Sequence, residues 1–321
     1  MEGRPCKFGW TRRIDVITIV RPLLICIVGP TAVGKTAFAI RVAQEVGAEI
    51  ISADSRQIYR GMNVGTAAPT AQERAQTKHH FIDFLDPSKL YSAGDFEKDV
   101  VGFLGSYFET NNIAVLVGGS GLYVKGVTDG FGNLPHDKRV RDNLNARLEK
   151  EGVESLAFEL RILDPTYAAK MDLKNPQRVV RALEVCIVTG KPFSSFHSDN
   201  KTERSFDMLQ IGLTVPREEL NARIEKRTKT MIENGWVDEV KKLMHLSHCN
   251  SLRTVGYKEL MSHLNGACSL EEAEERIVIS TRQFAKRQMT WFKKDDRVVW
   301  FDRSETESAF KHCKQIASKY E

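Results

Sequence analysis

The chain has 321 residues, a length that suits about two domains of roughly 150 residues each. Its composition, 41% hydrophobic and 28% charged, excludes a disordered chain, a collagen-like chain and a small disulfide scaffold. The longest apolar run, Leu23–Val28, is far shorter than the ~20 residues of a membrane span. The formal net charge of +5 is only mildly basic and identifies no partner.

The cysteines and the N-terminus indicate a cytoplasmic protein. None of the six cysteines belongs to a C-x-x-C pair. We interpret the cysteines as small buried hydrophobic residues of a protein in a reducing compartment. His245, His248 and Cys249 lack a fourth ligand at a usual zinc spacing, which disfavours a zinc site. Residues 1–20 are basic but have no apolar segment with a cleavage site, so we interpret them as a poorly ordered leader rather than a secretory signal.

Short apolar strands alternate with helices in the first part of the chain. The pattern predicts strands over Leu23–Val28, 49–52 and 113–117, with helices over 35–46 and 94–110. Continuous apolar strands that alternate with helices favour a parallel sheet that is covered on both faces.

The pattern changes after Gly132, because residues 134–200 show no convincing strand. We predict helices there over 137–151, 154–163 and 175–188. Asn175 followed by Pro176 is a good helix start, and Gly190 is a plausible stop. Beyond this helical insertion, strands are predicted at 208–215 and 298–301, and helices at 220–231, 237–246, 254–264 and 270–292.

A phosphate-binding loop is the strongest motif. The pattern G-x-x-x-x-G-K-[ST] is matched by Gly29, Pro30, Thr31, Ala32, Val33, Gly34, Lys35 and Thr36. The match lies between a predicted strand and a predicted helix, which is the context that gives it meaning. Backbone N–H groups of such a loop point at phosphate oxygens, Lys35 supplies a positive charge, and the Thr36 hydroxyl can bind Mg²⁺. The loop predicts binding of a di- or triphosphate without saying which one.

The usual carboxylate of a P-loop NTPase is missing. Such proteins carry an apolar strand ending in Asp, whereas the strand at 113–117 is followed by Gly118, Gly119 and Ser120. Asp54, just past the second strand, is the strongest alternative. Ligands of doubly wound sheets bind at the carboxyl ends of the strands, so we expect Asp54, Ser120 and the phosphate loop to meet. A turn or helix-capping role for Asp54 is the alternative interpretation.

Further segments follow one another along residues 23–302. They are GPTAVGKT (29–36), SADSRQIYRGM (52–62), GTA (65–67), YSAGDF (91–96), VGGSGLY (117–123), NPQRVVRALE (175–184), RIEKR (223–227), RTVGYK (253–258) and TRQFAKRQMTWF (281–292). In this order they resemble the tRNA dimethylallyltransferases, also called tRNA isopentenyltransferases. So many matches in one order are far more specific than the phosphate loop alone.

The resemblance implies transfer of a dimethylallyl group from dimethylallyl diphosphate to N6 of adenosine 37 of tRNA, with Mg²⁺. It implies that the loop holds the diphosphate of this donor rather than ATP. Asp54 matches the general base, and the residues that match diphosphate contacts are Thr31, Lys35, Thr36 and Arg227. Ser120 stands where the family usually has Thr, so it keeps the hydroxyl group of this catalytic position but loses a methyl group.

The resemblance also implies contacts with a tRNA anticodon stem-loop. The matching residues are Asp54, Ser55, Arg56, Gln57, Ser120, Arg141, Gln177, Arg178, Val179, Val180, Arg181, Arg253, Thr254, Val255, Gly256, Tyr257 and Lys258. Arg181 could instead simply pair with Glu184. The basic stretch 276–294 adds Arg282, Lys286 and Arg287 as candidate phosphate contacts. Its apolar residues are expected to form a core-facing side of the helix; they are Ile277, Phe284, Met289, Trp291 and Phe292.

Together these observations predict an α/β fold: a P-loop NTPase-like core with a parallel sheet flanked by helices, plus an all-helical insertion domain. The predicted boundaries are a leader at 1–20, the core at 21–133 and 205–304, the insertion at 134–204 and a C-terminal tail at 305–321. We expect a monomer that does not bind membranes. One alternative function is a transferase acting on free adenine nucleotides, which would need neither the insertion nor the basic helix. Another is a small-molecule kinase, which only the phosphate loop supports.

Overall fold

The computed structural model of the protein describes residues 21–132, 134–196 and 202–320. The predicted leader at 1–20 lies outside the described residues. The chain divides into two compact units. The first contains the described residues up to Ser88, Leu104–Gly119 and the chain from Ser205 onward, and the second contains Lys89–Phe103 and Ser120–Arg204.

The first unit contains a six-stranded sheet. Its strands are β1 (Leu23–Val28), β2 (Ile50–Ser52), β3 (His79–His80), β4 (Ile113–Gly118), β5 (Asp207–Thr214) and β6 (Val298–Asp302). They are ordered β3-β2-β4-β1-β5-β6, and every neighbouring pair is parallel. In the register of the central strand, Leu23 lies opposite Ile113 on one side and Asp207 on the other. Every residue of β1 is buried, as an apolar strand covered on both faces should be, so the predicted parallel sheet is confirmed.

Twelve α-helices lie in the described residues. They are α1 (Lys35–Glu45), α2 (Ala71–Gln76), α3 (Ala93–Tyr107), α4 (Gly121–Asp129), α5 (Lys138–Leu163), α6 (Pro165–Ala168), α7 (Pro176–Thr189), α8 (Arg217–Glu233), α9 (Trp236–Leu243), α10 (Tyr257–Leu264), α11 (Leu270–Phe292) and α12 (Thr306–Ala317). Short 3-10 helices occur at Phe193–Phe196, Met244–Leu246, Asn250–Leu252 and Arg303–Glu305. In the part of the chain that the structure describes, no helix is both long and apolar enough to span a bilayer.

Helices α1 and α12 contribute to one core cluster with the sheet. Ala309, Cys313 and Ala317 of α12 are buried in the same cluster as the alternate β1 residues Leu23 and Ile25. The three α12 residues recur every four positions and form the apolar stripe of an amphipathic helix. Salt bridges from Arg41 to Glu307 and from Lys314 to Glu45 add further links between α1 and α12. The segment predicted as a C-terminal tail is therefore a helix of the core.

The second unit has its own core, built mainly by α5 and α7, and its described residues contain no strand. Gly152 has a left-handed φ of 80° and separates α5 into the two helices predicted from the sequence. The Asn175 side chain caps α7 by accepting a hydrogen bond from the Arg178 amide at 3.2 Å, and Gly190 ends it with a φ of 66°. Both helix signals are confirmed. The unit also contains Lys89–Phe103 and α4, which we had predicted as parts of the core domain.

Candidate active site

A cleft of about 270 Å³ opens in the first unit at the carboxyl ends of β1, β2 and β4. This is the edge at which parallel α/β sheets bind ligands. Its lining includes the phosphate loop, the segment after β2, and side chains from α8 and α11. The polar or charged residues that line it are Thr31, Lys35, Thr36, Ser52, Asp54, Gln57, Thr66, Glu73, His79, Arg227 and Gln288.

The phosphate loop connects the end of β1 to the start of α1, as predicted. Gly29 has a φ of 143°, and a Cβ there would lie 2.4 Å from the Leu213 carbonyl oxygen, so no side chain fits. Gly34, with a φ of 109°, is the N-cap of α1 and offers no side chain to cap the helix. The first amide groups of α1 are therefore available to an anion at the positive end of the helix dipole.

Two cations share the cleft. The Lys35 ammonium group donates a hydrogen bond to the Pro30 carbonyl at 2.7 Å. Burial and the positive charge of Arg227 together lower the pKa of Lys35 to about 7, although the Asp54 carboxylate opposes the shift. Burial also lowers the pKa of Arg227, again against the effect of Asp54. A desolvated pair of cations facing one carboxylate is electrostatically suited to receive an anion.

Helix α8 holds the phosphate loop through two arginines one turn apart. The Arg223 guanidinium donates to the Ala32 carbonyl at 2.7 Å, and the Arg227 guanidinium donates to the Thr31 hydroxyl oxygen at 3.4 Å. Residues at i and i+4 lie on one helix face, so both side chains point toward the loop. Arg227 was predicted as a site residue from the RIEKR segment, whereas Arg223, the first residue of that segment, was not.

Asp54 lines the cleft and also forms a turn. Its Oδ1 accepts hydrogen bonds from the amides of Arg56 at 2.8 Å and Gln57 at 3.4 Å. The turn role that was the alternative interpretation of Asp54 is therefore present. It does not exclude a role in the site, because the same side chain also lines the cleft. The Gln57 side chain accepts from Ser52 at 2.9 Å and donates to the Thr66 and Ala67 carbonyls at 3.2 and 3.3 Å.

Ser120 is the N-cap residue of α4 in the second unit and is partly exposed. The cleft residues named above belong to the first unit. The meeting of Ser120 with Asp54 and the phosphate loop stays a prediction.

In the second unit, a buried carboxylate engages two of the candidate RNA-binding arginines. Glu184 is fully buried and accepts hydrogen bonds from His136, Arg141 and Arg181. Burial alone would raise its pKa, but these donors lower the pKa of Glu184 to about 2. Arg181 also donates to the Pro135 carbonyl at 3.0 Å. The pairing of Arg181 with Glu184, given above as the simpler alternative, is thus present.

The other predicted RNA contacts of the second unit lie in the first turns of α7. Gln177 and Arg178 are exposed, and they stay candidates for RNA contact. Val179 and Val180 are 0% and 1% exposed in the core of the unit. Both side chains lie on the apolar face of α7 that packs inward, and the RNA contact expected of this segment stays a prediction.

Residues 253–258 lie before and at the start of α10, and some of them are buried and support the cleft. Arg253 and Lys258 are exposed and Thr254 and Val255 partly exposed, whereas Gly256 and Tyr257 are buried. The Tyr257 hydroxyl donates to Glu239 at 2.6 Å, and burial together with this carboxylate raises the pKa of Tyr257. Gly256 and Tyr257 thus have a packing role, and the RNA contact expected of this segment stays a prediction.

Trp236 and Glu239 of α9 carry this support, and sequence analysis missed both. Glu239 accepts hydrogen bonds from the amides of Val64 at 2.7 Å and Gly65 at 2.9 Å. A Cβ at Gly65 would lie 2.0 Å from the Trp236 indole nitrogen, and one at Gly256 only 1.9 Å from the ring. The only sequence signal was the GTA segment, whose glycine makes this close approach possible.

Helix α11 contacts the core through only some of the residues expected on its apolar side. Ile277, Ala285 and Phe292 are buried, but Phe284 is 38% and Trp291 39% exposed. Phe284 instead lines the cleft, so its assignment to a core-facing side is wrong. Lys286 and Arg287 are exposed as predicted, whereas Arg282 forms a salt bridge with Glu225 of α8. Arg56 is similarly engaged, donating to the Asn250 carbonyl at 3.1 Å, while the partly exposed Ser55 follows Asp54 in the turn.

Thr36 is the candidate Mg²⁺ ligand in the cleft. Among the described residues no group of three or more His, Cys, Asp or Glu side chains is placed to hold a metal ion. Mg²⁺ at phosphate sites needs only one or two protein ligands, since phosphate oxygens and waters complete its shell. The Thr36 hydroxyl, at the first turn of α1 in the cleft lining, fits such a site.

A phosphate loop between a parallel strand and a helix, at the carboxyl edge of the sheet, defines a P-loop phosphate-binding α/β protein. The cleft differs from that of an ordinary P-loop NTPase, because no carboxylate ends β4 and Asp54 follows β2 instead.

Comparison with known proteins identifies the family. The family model described as IPP transferase matches residues 57–295. A tRNA dimethylallyltransferase of Christiangramia forsetii is 48% identical over 283 residues, covering 88% of this chain and 94% of that protein. tRNA dimethylallyltransferase 1 of Bacteroides thetaiotaomicron is 43% identical over 281 residues, covering 87% and 91%. The chain belongs to the IPP transferase family, and the resemblance drawn from its motifs is confirmed.

Solved structures agree. The full-length tRNA isopentenylpyrophosphate transferase of Bacillus halodurans matches with a TM-score of 0.68 at 36% identity, covering 93% of this chain and 98% of that one. A eukaryotic dimethylallyltransferase acting on tRNA matches with a TM-score of 0.78 at 26% identity, covering 92% and 77%. The protein is thus a transferase with the fold of this family.

Proposed function

We propose that the protein transfers a dimethylallyl group from dimethylallyl diphosphate to N6 of adenosine 37 in tRNA, as a monomer in the cytoplasm. The observation that carries the proposal is the convergence of Lys35, Arg227 and Asp54 on one cleft beside the phosphate loop. The names of the relatives, which are tRNA dimethylallyltransferases, support the choice of both substrates.

The phosphate loop and its cations would stabilise the leaving group. When the bond between C1 of the dimethylallyl group and its oxygen breaks, negative charge develops on the departing diphosphate. Donors already fixed around that position lower the barrier, because they need no reorganisation during the reaction. Lys35, Arg227 and the amides at the start of α1 are such donors. Mg²⁺, held by the Thr36 hydroxyl, would supply further charge neutralisation for the diphosphate.

Asp54 would act as the general base. The adenine amine is a poor nucleophile because its lone pair is delocalised into the ring. As N6 bonds to C1 of the dimethylallyl group, N6 must lose one proton, and a positioned carboxylate can accept it. Hydrogen bonds from the Arg56 and Gln57 amides to Oδ1 fix the orientation of the Asp54 carboxylate.

The acceptor adenine must leave its stack to reach a pocket, which loop nucleotides do readily. Exposed polar and basic residues are the proposed contacts to the RNA backbone. They are Gln177 and Arg178 in the second unit, and Arg253, Lys258, Lys286 and Arg287 in the first. Such contacts position the RNA without reading its sequence. Ser120 is retained as a proposed site residue.

A transfer assay tests the proposal. Purified protein is incubated with labelled dimethylallyl diphosphate and Mg²⁺, and with tRNA, AMP or ADP as acceptor. We expect label on tRNA, recovered after digestion as N6-dimethylallyl adenosine, and none on a tRNA transcript with guanosine at position 37. Label on AMP but not on tRNA would contradict the proposal in favour of a free-nucleotide transferase. A robust ATPase activity that needs no tRNA and is abolished by Lys35→Ala would favour a kinase.

A further inference from the structure

Gln288 of α11 is a buried amide at the edge of the cleft. Its side chain is among those lining the cleft, although the residue is only 6% exposed. The Oε1 atom accepts a hydrogen bond from the Thr31 amide at 2.8 Å, and the Nε2 atom donates to the Gly119 carbonyl at 2.9 Å. The residue therefore uses both ends of its amide group on backbone partners that are far away in the sequence.

The two partners belong to different walls of the cleft. Thr31 is the third residue of the phosphate loop, and Gly119 directly follows β4. A Cβ on residue 119 would lie 2.2 Å from the Gln288 Nε2 atom, so only glycine leaves room for the amide at this distance. The geometry also restricts residue 288 itself, since leucine lacks both polar atoms and an ionised glutamate lacks the donor.

These contacts act on a loop residue that has a second restraint. The Thr31 amide is bonded to Gln288, and the Thr31 hydroxyl oxygen accepts from Arg227. Thr31 is thus held through its backbone from α11 and through its side chain from α8. A loop held in this way has its shape before any anion arrives, which is the condition under which fixed donors stabilise a transition state most effectively.

We propose that Gln288 is a positioning residue of the diphosphate site, which joins Thr31 to Gly119 and so holds the phosphate loop in the shape that receives the leaving diphosphate. Its kinetic consequence rests on the proposed transfer function. The role of Gln288 in holding the loop does not depend on that function, because binding of inorganic diphosphate reports on the shape of the loop without any transfer.

The first variant is Gln288→Leu, which removes both hydrogen bonds at similar side-chain size. We expect its single-turnover transfer rate to fall roughly 10- to 100-fold, as a misplacement of about 1 Å can cost. We expect the KM for tRNA to stay unchanged and the Kd for inorganic diphosphate, measured by calorimetry, to rise several-fold. Gln315→Leu makes the same change on an exposed residue of α12 and should match the unaltered protein.

The second variant, Gln288→Glu, distinguishes the hydrogen bonds from packing. An ionised glutamate can accept from Thr31 but cannot donate to Gly119, and its charge opposes the diphosphate. A protonated glutamate can do both, and burial favours this neutral form. The transfer rate relative to the unaltered protein should therefore rise as the pH falls from 8 to 6.

Two results would overturn the inference. One is a Gln288→Leu protein that folds and retains both the transfer rate and the affinity for inorganic diphosphate of the unaltered protein. The other is a Gln288→Glu protein whose pH profile parallels that of the unaltered protein. If the unaltered protein transfers no dimethylallyl group, the proposed function fails, while the calorimetric comparison still decides the role of Gln288.

Discussion

Lys35 is a cation whose charge depends on what occupies the cleft. Burial and Arg227 bring its pKa to about 7, so near neutral pH part of the free protein carries a neutral amine there. A bound diphosphate favours the protonated form, because opposite charges attract strongly in a desolvated site. Arg227, which keeps its charge at any such pH, does not share this behaviour.

The affinity for inorganic diphosphate should therefore fall as the pH rises above 7. Binding requires protonated Lys35, and above the pKa of the free protein a proton must be taken up, which costs about tenfold in Kd for each pH unit. Lys35→Arg should remove this component, since a guanidinium stays protonated. Calorimetry from pH 6 to 9 on both proteins isolates the effect, because the ionisation of the ligand is common to both. Equal slopes would show that Lys35 does not titrate in this range.

Asp54→Asn should abolish most turnover and leave the fold intact. Asparagine cannot accept the N6 proton, and loss of a positioned general base typically costs 10²–10⁴-fold in rate. Its Oδ1 can still accept from the Arg56 and Gln57 amides, so the turn should survive. The measurements are single-turnover transfer to tRNA and thermal unfolding. A variant with a collapsed unfolding temperature but normal turnover per folded molecule would make Asp54 purely structural.

At the scale of elements, α9 supports the wall of the cleft that Thr66 and Ala67 form. Glu239 collects three donors, the amides of Val64 and Gly65 and the Tyr257 hydroxyl, and Trp236 packs against Gly65. Gln57, in the turn after β2, holds the same wall through the Thr66 and Ala67 carbonyls. The wall is thus shaped by contacts on both sides, and a side chain at Gly65 would clash with Trp236.

Gly65→Ala should destabilise the protein by about 1–3 kcal/mol, the usual cost of overpacking. The added methyl group would lie 2.0 Å from the indole nitrogen of Trp236, which is a rigid ring. Gly105→Ala is the matched control, because a Cβ there meets nothing within 4 Å and alanine favours the surrounding helix α3. Urea unfolding of both variants tests this. Equal midpoints for Gly65→Ala and the unaltered protein would mean that the indole shifts without cost.

In α7, Glu184 should contribute to stability in a pH-dependent way. Its folded pKa of about 2 lies below the ordinary value of 4.5, so its contribution is present above pH 4.5 and is lost as the pH falls toward 2. Glu184→Gln leaves Arg141 and Arg181 without their counter-charge, and because both arginines are partly exposed it should cost about 1–3 kcal/mol at pH 7. The variant should also lose less stability than the unaltered protein between pH 4.5 and 2. Acid unfolding curves that stay parallel would contradict this assignment.

At the scale of the whole molecule, the net charge of +5 says little about RNA binding, and the distribution of cations says more. Arg141 and Arg181 are committed to Glu184, and Arg282 is committed to Glu225. Lys286 and Arg287 on α11 are exposed, and so is Arg178 on α7. Exposed cations without these ion pairs can approach RNA phosphates without first breaking a salt bridge, and the salt dependence of tRNA binding measures how many do.

Replacing Lys286 and Arg287 by alanine should weaken tRNA binding and flatten its salt dependence by about 1.4 in log K against log salt. Each phosphate contact on loop or single-stranded RNA contributes about 0.7 to this slope. Lys311→Ala combined with Lys319→Ala removes two exposed cations elsewhere and should leave the slope unchanged. The measurement is tRNA affinity over a salt series. An unchanged slope for the α11 variant would place its basic face in plain solvent.

Local patterns were sufficient to predict most of the fold and the centre of the site. Apolar runs predicted β1, β2, β4, β5 and β6, because strands of a covered parallel sheet are largely apolar. The phosphate loop was predicted from its fixed residue spacing, and Asp54 from its place just past the second strand. The two-residue strand β3 and the short helix α2 were not predicted, because neither is long enough to show a repeating pattern of apolar and polar residues.

Tertiary structure alone decided which of the polar residues line the cleft and which hold other residues in place. Gln288 meets Thr31, and Arg223 and Arg227 meet the phosphate loop, across hundreds of positions that no local pattern connects. The sequence left both an RNA contact and an ion pair with Glu184 open for Arg181, and the packing around buried Glu184 shows the ion pair. A side chain's partners depend on which elements fold against it, and a buried charge or amide must find those partners, so its role is set by packing rather than by its place in a motif.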